Sequence, residues 1–239
     1  MAIHLRIADS AKEIDDALWV RHEVFVVEDG KFGGTPLPGE RIVDRLASFP
    51  QVYDVVAYVE SEPIATIRLL KESPVGLPAF EYFDFSEYRA QVERDYTPIP
   101  TAAGDGIIEK PVFGSAGMLA IRGEWRRRRD VIRAMFRIAA TVCESNDATH
   151  VVVAVNHETA TMYRRLRFEP LSEKIWVDSV QNYVVPLASS VRDFYDWAFG
   201  DLPETPLGPF KDNFDRLVVR AGETIFREGD VGDRAYVVE

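Results

Sequence analysis

The sequence predicts an α/β fold in which helices flank a central sheet, followed by a short all-β segment at the end of the chain. Two observations carry this prediction. Runs of β-branched residues alternate with segments whose apolar residues recur at helical spacing, and their order after residue 117 is strand, helix, strand, helix, strand. One of these strands, residues 150–155, is nearly all β-branched, as expected when helices cover both faces of a sheet.

The first half of the chain predicts a strand, a helix and a hairpin. Residues 3–7 form the strand, and Ser10 caps a helix that runs through Val27. After a Gly/Pro-rich loop, β-branched residues cluster in 54–61 and 63–71, on either side of a turn, which predicts an antiparallel hairpin. Residues 72–117 are expected to be irregular, with an aromatic cluster at 80–88 that either lines an acyl tunnel or covers the sheet.

The second half predicts the rest of the sheet and a change of character near its end. A strand at 117–121 precedes a helix from about Arg127 to Glu144, and Asn156 can cap the helix 157–168. Later strands at 174–178 and 182–187 complete the sheet. We therefore predict a main domain over residues 1–187, a helix and linker over 188–213, and an all-β fragment over 214–239.

Composition and charge limit the classes of function. The chain is 46% apolar and 28% charged, as in soluble globular proteins, and no apolar run approaches the length of a membrane span, so we expect a cytoplasmic protein. A net charge of −11 argues against general binding to nucleic acid or to a membrane. Cys143 is the sole cysteine, which excludes an internal disulfide and a thiolate zinc site, and we predict a packing role for it and no metal.

A strand that leads directly into an arginine-rich helix start is the first sign of chemistry. The backbone edge of such a strand can bind the amides of a pantetheine arm, and the helix N-terminus offers N–H groups to a pyrophosphate. Arginine opposes the helix dipole at this position, so the run Arg126 to Arg129 in an acidic chain suggests an anionic ligand. The alternative is a solvated helix face.

This segment resembles the GNAT superfamily of acyltransferases, whose fold is a mixed sheet flanked by helices. There an apolar strand leads into Arg/Gln-x-x-Gly-x-Gly/Ala at the start of a helix, and here Arg129 and Val131 replace both glycines, which crowds the loop. The resemblance implies that the thioester donor binds at Met118, Leu119, Ala120, Ile121, Arg126, Arg127, Arg128, Arg129, Asp130, Val131 and Asn156.

A second segment resembles the tyrosine helix of the same superfamily. Asn156, Ala160 and Tyr163 are spaced to share one face of a helix, and Phe168 follows in register. The resemblance implies that Tyr163 faces the thioester sulfur and acts as general acid, which suits a phenol that keeps its proton at neutral pH. The alternative is a tyrosine that only packs. For the general base the options are Glu109, Glu124 and Ser115, and none stands out.

Two N-terminal segments resemble particular GNAT branches, the acyl-homoserine-lactone synthases and the long-chain N-acyl amino acid synthases. Arg21 and Phe25 match an Arg-x-x-Val-Phe core, and Arg68 matches an Arg-Leu pair on a central strand, which implies substrate binding by all three. Such enzymes use acyl carrier protein, whose acidic helices suit a basic patch. We expect acyl-ACP or acyl-CoA as donor and an amine such as an amino acid as acceptor. Acetyl-CoA-dependent N-acetylation and an inactive GNAT-like regulatory module are the alternatives.

The end of the chain resembles the opening strands of cyclic-nucleotide-binding domains. Glycines at its turns permit positive φ between short strands. In that family the phosphate-binding segment lies further downstream, so we expect an incomplete unit here, with cyclic-nucleotide regulation only in a full-length form. The matching residues are Gly222, Glu223, Phe226, Gly229, Asp230, Gly232, Asp233 and Tyr236.

Overall fold

A computed structural model of the chain describes residues 2–31, 38–47, 49, 51–200 and 215–231. Within these residues the strands are β1 (Ile3–Ile7), β2 (Val52–Val59), β3 (Glu62–Lys71), β4 (Ile99–Pro100), β5 (Ile107–Ile108), β6 (Phe113–Ile121), β7 (His150–Asn156), β8 (Glu169–Pro170), β9 (Ile175–Val177), β10 (Asn182–Ser190) and β11 (Arg216–Val218). The helices are α1 (Ala11–His22), α2 (Ser86–Asp95), α3 (Arg129–Ser145), α4 (His157–Arg165) and α5 (Val191–Phe199).

A mixed sheet forms the centre of the described structure. Its strand order is β11-β1-β2-β3-β6-β7-β10-β8, with β9 paired to β10, while β4 and β5 form a separate ribbon. The predicted hairpin is present as β2 and β3, and β6 and β7 are the parallel pair. The α/β class that the sequence predicts, a mixed sheet flanked by helices, is therefore confirmed.

Strand alternation divides the residues of the sheet between two faces. On β3, Ile67 and Leu69 belong to the main apolar core together with Val131 and Met135 of α3. Arg68 points to the opposite face, where it meets α1 through a shared ion-pair network. The α3 face is thus a continuous apolar core, and the α1 face carries the polar groups.

Helix α1 begins as predicted and ends differently. Ser10 caps it in a capping box with Glu13, so the N-terminal signal is read correctly. The predicted helix through Val27 instead changes into a π-helix over Glu23–Glu28, in which each turn is wider by one residue. Such π-helical turns are rare and are found frequently at functional sites.

The capping box predicts a measurable pH dependence. Burial alone raises the pKa of Glu13, but hydrogen bonds from Ser10, Arg6 and the Asp9 backbone outweigh it and lower the pKa to about 2. Glu13 therefore stabilises the fold above its unfolded pKa of 4.5, and this contribution is lost as the pH falls toward 2. We expect Glu13→Gln to reduce the loss of thermal stability between these pH values, measured as Tm against pH. Glu93→Gln, an exposed change on α2, is the control and should leave the wild-type pH profile intact.

Residues 72–117 are more regular than the sequence predicts. They contain α2 and a 3₁₀ turn at Pro78–Glu81, and β6 already begins at Phe113, four residues before the predicted start. The aromatic segment covers the sheet, with Phe85 packed over Leu70 and Phe113. A surface cavity of about 450 Å³ opens on this segment, lined by residues 80–86 and 89.

Elements beyond residue 187 pack against the same sheet. Strand β10 continues to Ser190, and α5 contacts α3 through the rings of Phe194 and Phe136, whose centroids are 6.3 Å apart. Strand β11 pairs antiparallel with β1. The predicted boundary at 187 thus falls inside β10, and of the helix and linker predicted over 188–213, residues 201–213 lie outside the described residues.

Two further sequence expectations have structural counterparts. Cys143 is buried in the core, and burial raises the pKa of its thiol to about 12, which suits a packing role. Gly222 and Gly229 adopt positive φ of 87° and 96°, as expected for turns. Gly232, Asp233 and Tyr236 lie outside the described residues. None of the helices in the described part of the chain has the length and apolar character needed to cross a membrane.

Candidate active site

The parallel strands β6 and β7 separate soon after they begin. Their ladder consists of two residue pairs, Phe113 with His150 and Gly114 with Val151, although the strands have nine and seven residues. Beyond Gly114, β6 pairs with β3 on one side and has no partner on the β7 side within the described structure. The sheet therefore opens into a cleft that is bordered by the carboxyl halves of both strands.

A β-bulge in β6 shapes this cleft. Met118 adopts a positive φ of 51°, and the register with β3 shifts between the pairs Arg68–Gly117 and Thr66–Ala120. A bulge re-aims the backbone and leaves one residue unpaired in the ladder. Residues 117–121 can thus offer backbone hydrogen-bonding groups to an amide-bearing arm, and donor binding at Met118, Leu119, Ala120 and Ile121 stays a prediction.

The arginine run lies between the cleft and α3, and part of it is neutralised within the protein. Arg126 contacts Glu28 at 2.7 Å and Asp29 at 2.9 Å, and Arg128 pairs with Asp130 and lies over the ring of Trp125. Arg127 and Arg129 are exposed and form no ion pair with a described residue. Two of the four predicted anion-binding arginines are therefore free to meet a ligand.

Helix α3 begins at Arg129, two residues later than predicted, and its N-terminus carries a carboxylate of its own. The Arg128 guanidinium holds the pKa of Asp130 below its usual value, and a backbone N–H from Val131 adds to this effect. The Val131 side chain is fully buried in the core. A ligand at the start of α3 could therefore contact only the backbone of Val131. Asn156 occupies the N-cap of α4 without a side-chain cap bond, and its carbonyl accepts from Thr159 at 2.8 Å.

Tyr163 lies on α4, directly after β7, and its ring is enclosed by aromatic neighbours. The ring centroids of Phe136 and Phe168 are each 5.5 Å away, in edge-to-face contact. The residue is 2% exposed, and burial raises the pKa of its phenol well above the usual value. The phenol therefore holds its proton at neutral pH, and its role as general acid stays a prediction.

The structure separates the three groups considered for the general base. Ser115 is buried on β6, two residues before Gly117 and on the same face. Glu124 is exposed in the loop after β6 and contacts Arg122 at 3.4 Å. Glu109 precedes β6, at the end where β6 and β7 are paired, so roughly 25–30 Å of strand separates it from the far end of β6. Ser115 lies one residue beyond the stretch of β6 that is paired with β7, and Glu124 follows the carboxyl end of β6, so both are nearer to the cleft than Glu109.

Arg21 and Arg68, both predicted from the sequence, converge on one carboxylate below the bulge. Arg21 of α1 and Arg68 of β3 are 0% and 1% exposed, and both donate to Asp54 of β2. Arg68 also donates to both oxygens of Asp44, at 2.7 and 2.8 Å. Burial lowers the pKa of Arg21, and the neighbouring Arg68 charge lowers it further. An additional anion would therefore stabilise the charged guanidinium.

Several donors of this cluster have no hydrogen-bond partner among the described residues. They are Nε and Nη1 of Arg21, Nη2 of Arg68 and the hydroxyl of Thr66. Buried polar groups are normally satisfied, and unsatisfied ones call for an explanation such as a bound ligand. Gly117 lies opposite Arg68 on β6, and a Cβ built on it would meet no atom within 4 Å. Open space at the bulge therefore lies on the same face of the sheet as these buried donors.

Sequence reasoning missed Asp44, Asp54 and Thr66. The sequence did contain a signal for Asp54, since this charged residue opens a run of buried β-branched residues on β2. Strand alternation places it on the same face as Tyr58, opposite to the apolar core. Phe25, the third predicted substrate residue, lies in the π-helix and packs partly buried against Val24 and Ala120, with Lys31 5.0 Å from its ring centroid.

Comparison with known proteins agrees with this architecture. A family model described as N-acyl amino acid synthase FeeM matches residues 16–190, which is most of the chain. No curated protein sequence matches.

Solved structures share the fold at low identity. FeeM, an N-acyl amino acid synthase from uncultured soil microbes, gives a TM-score of 0.60 at 14% identity over 80% of this chain and 92% of that chain. The CoA-dependent acyl-homoserine lactone synthase BjaI, with SAM and isopentyl-CoA, gives 0.56 at 12% identity over 81% and 86%. The AHL synthase LasI gives 0.53 at 12% over 86% and 98%. With the family model, these findings show that the chain is an acyltransferase of GNAT-like fold, and it belongs to the FeeM family of N-acyl amino acid synthases.

Proposed function

We propose that the protein transfers an acyl group from a pantetheine thioester, acyl-ACP or acyl-CoA, to the amine of an amino acid, whose carboxylate is bound by Arg21 and Arg68. The unpaired guanidinium donors beside Gly117 carry this proposal. Guanidinium groups are suited to carboxylates because they present parallel N–H donors to two oxygens. FeeM is named as an N-acyl amino acid synthase, which supports the same class of acceptor.

The arrangement separates the two substrates on either side of the sheet opening. The pantetheine arm would lie along the free edge of β6, where residues 117–121 offer backbone groups. The amino acid would bind on the α1 face of the same strand, next to the bulge at Met118. Binding both substrates against one short stretch of backbone lowers the entropic part of the barrier, since the reacting groups are held together.

Acyl transfer requires an uncharged amine and a proton for the leaving thiolate. The amine nitrogen attacks the thioester carbonyl, the C–N bond forms as the C–S bond breaks, the nitrogen loses a proton to water, and the sulfur leaves as a thiolate that takes up a proton. We assign this proton to the Tyr163 phenol, and place Ser115 near the amine because it is buried on the face of Gly117 and Arg68. Asn156 and the exposed Arg127 and Arg129 complete the donor side.

The test is thiol release from octanoyl-ACP, octanoyl-CoA and acetyl-CoA in the presence of amino acids and of the amines that lack only the carboxylate. We expect turnover with amino acids and kcat/KM values at least about tenfold lower for the decarboxylated amines, because a site built to bind a carboxylate is left with unpaired donors. Equal use of both acceptor sets would contradict a carboxylate site. Activity with acetyl-CoA alone would identify an N-acetyltransferase, and no thiol release with any donor would favour an inactive regulatory module.

Tyr163→Phe tests the general acid without disturbing the packing. The ring keeps its contacts with Phe136 and Phe168, so the thermal stability should stay close to that of the wild type. Loss of a positioned proton donor typically costs roughly 10²–10⁴ in rate, and we expect kcat to fall about 100-fold. An unchanged kcat would remove Tyr163 from the chemical step. Phe168→Leu, which alters the packing and not the phenol, is the control.

Cyclic-nucleotide regulation stays a prediction that rests on the resemblance of the last residues alone. The matched family model ends at residue 190, before this segment. Calorimetric titration with cAMP and cGMP tests it, and tight binding is the result that would support it.

A further inference from the structure

The loop between β6 and α3 binds carboxylate side chains of the protein itself. The Glu28 carboxylate, at the end of the π-helix, accepts the Gly123 backbone N–H at 3.0 and 3.1 Å. The same carboxylate and that of Asp29 accept from Nη2 of Arg126, at 2.7 and 2.9 Å. Two acidic side chains thus occupy both a backbone donor and a guanidinium of this loop.

Gly123 is the residue that permits this close approach. A Cβ built on it would lie 3.3 Å from Oε2 of Glu28, so a larger residue would press on the carboxylate. The Nε of Arg126 donates to the Ile121 carbonyl at 2.9 Å, which fixes its guanidinium over the end of β6. Gly123 and Arg126 therefore form an anion-binding site, here called the cradle, that is occupied by the Glu28 carboxylate.

The position of the cradle determines what it competes with. It lies directly after the free edge of β6 and before α3, which is where the phosphate groups of a donor would lie with its pantetheine arm along that edge, as proposed above. A third carboxylate, that of Asp130, lies at the start of α3 and is paired with Arg128. A pyrophosphate placed here would face three carboxylates and would lose both Gly123 and Arg126 as donors, whereas an arm without a pyrophosphate avoids this repulsion.

We propose that Glu28 and Asp29 act as an acidic clamp that determines donor selectivity, discriminating against the pyrophosphate of CoA and favouring thioesters that lack it. This inference rests on the proposed function for its kinetic readout and deepens it, since it names residues that choose between donors. The clamp lies outside the acceptor cluster of Arg21 and Arg68. The π-helix has a function in this scheme, because it carries Glu28 and Asp29 to the loop.

The experiment compares octanoyl-CoA with octanoyl-pantetheine, which has the same arm and no phosphate groups, in the wild type and in Glu28→Gln/Asp29→Asn. The substitutions remove charge and retain shape, and the amide introduced at position 28 still offers an oxygen to Gly123. We expect the ratio of kcat/KM for octanoyl-CoA to that for octanoyl-pantetheine to rise about tenfold in the variant, since the repulsion between like charges is removed. Asp15→Asn, which removes a carboxylate of α1 paired with Arg41, is the matched control and should leave the ratio unchanged.

Binding of CoA itself, measured by calorimetry at low salt, tests the clamp independently of turnover. The variant should bind CoA about tenfold more tightly than the wild type, and the difference should shrink as salt is added. Equal CoA affinity and an equal kinetic ratio in both proteins would overturn the clamp. Absence of turnover with tightened CoA binding would overturn the proposed function and leave the clamp standing. A fall in activity with both donors would indicate a structural role for Glu28 and would also overturn it.

Discussion

Replacing Asp54 with alanine is expected to lower the free energy of unfolding by about 3–5 kcal/mol, which is the range for breaking a buried ion pair from one side. Asp54 is the carboxylate to which both Arg21 and Arg68 donate. Both guanidinium groups are almost completely buried, so neither can turn to water when their shared partner is removed. Arg68 keeps its pair with Asp44, so the cost arises mainly from the Arg21 charge that stays behind without a carboxylate, and less from the loss of the hydrogen bonds themselves.

Two comparisons make this prediction specific. Asp15→Ala removes one partner of an exposed pair with Arg41, and should change stability by about 1 kcal/mol or less. The double variant Arg21→Met/Asp54→Ala should be more stable than Asp54→Ala alone, because the uncompensated charge of Arg21 is gone. Urea unfolding followed by circular dichroism gives all of these values. A loss below about 1 kcal/mol for Asp54→Ala would mean that the cluster is open to solvent, as in a surface ion pair.

The sequence predicts the framework of this fold well because most of its helices and strands have a signal in their own residues. The β-branched run at 150–155 and the capping signal at Ser10 both produce the predicted elements. The irregular segment is predicted less well, since helix α2 has no buried residue and therefore lacks an apolar stripe to read. The π-helix at Glu23–Glu28 also escapes prediction, because the same apolar spacing fits an ordinary helix.

The candidate site is only partly predictable from the sequence, and the reason is a different one. Arg21 and Arg68 are found through resemblance, but their meeting point depends on pairing between β2 and β3, which no local pattern reports. The arginine run is the opposite case. The sequence locates the run at the start of α3, but it does not show which distant residues lie around it. Arg126 is bound by Glu28 and Asp29, which lie far earlier in the chain.

Replacing Arg68 with lysine is expected to lower kcat/KM for amino acid acceptors about 100-fold, equivalent to about 2.7 kcal/mol. The planar guanidinium binds Asp44 and Asp54, and its Nη2 has no partner among the described residues. An ammonium group retains the charge but cannot satisfy these carboxylates and a bound carboxylate with fixed, parallel donors. The substrate carboxylate therefore loses its donor while the overall charge of the site stays the same.

The decarboxylated amines distinguish this effect from general damage to the fold. These amines have no carboxylate that could contact Arg68. Their kcat/KM should therefore change by about threefold or less in Arg68→Lys. The ratio of the two acceptor classes thus falls only if Arg68 contacts the substrate carboxylate. Parallel losses for both classes would instead place Arg68 in the framework, holding β3 against α1 through Asp54. Because the assay is run below the unfolding temperature of the variant, a lower Tm does not change this reading.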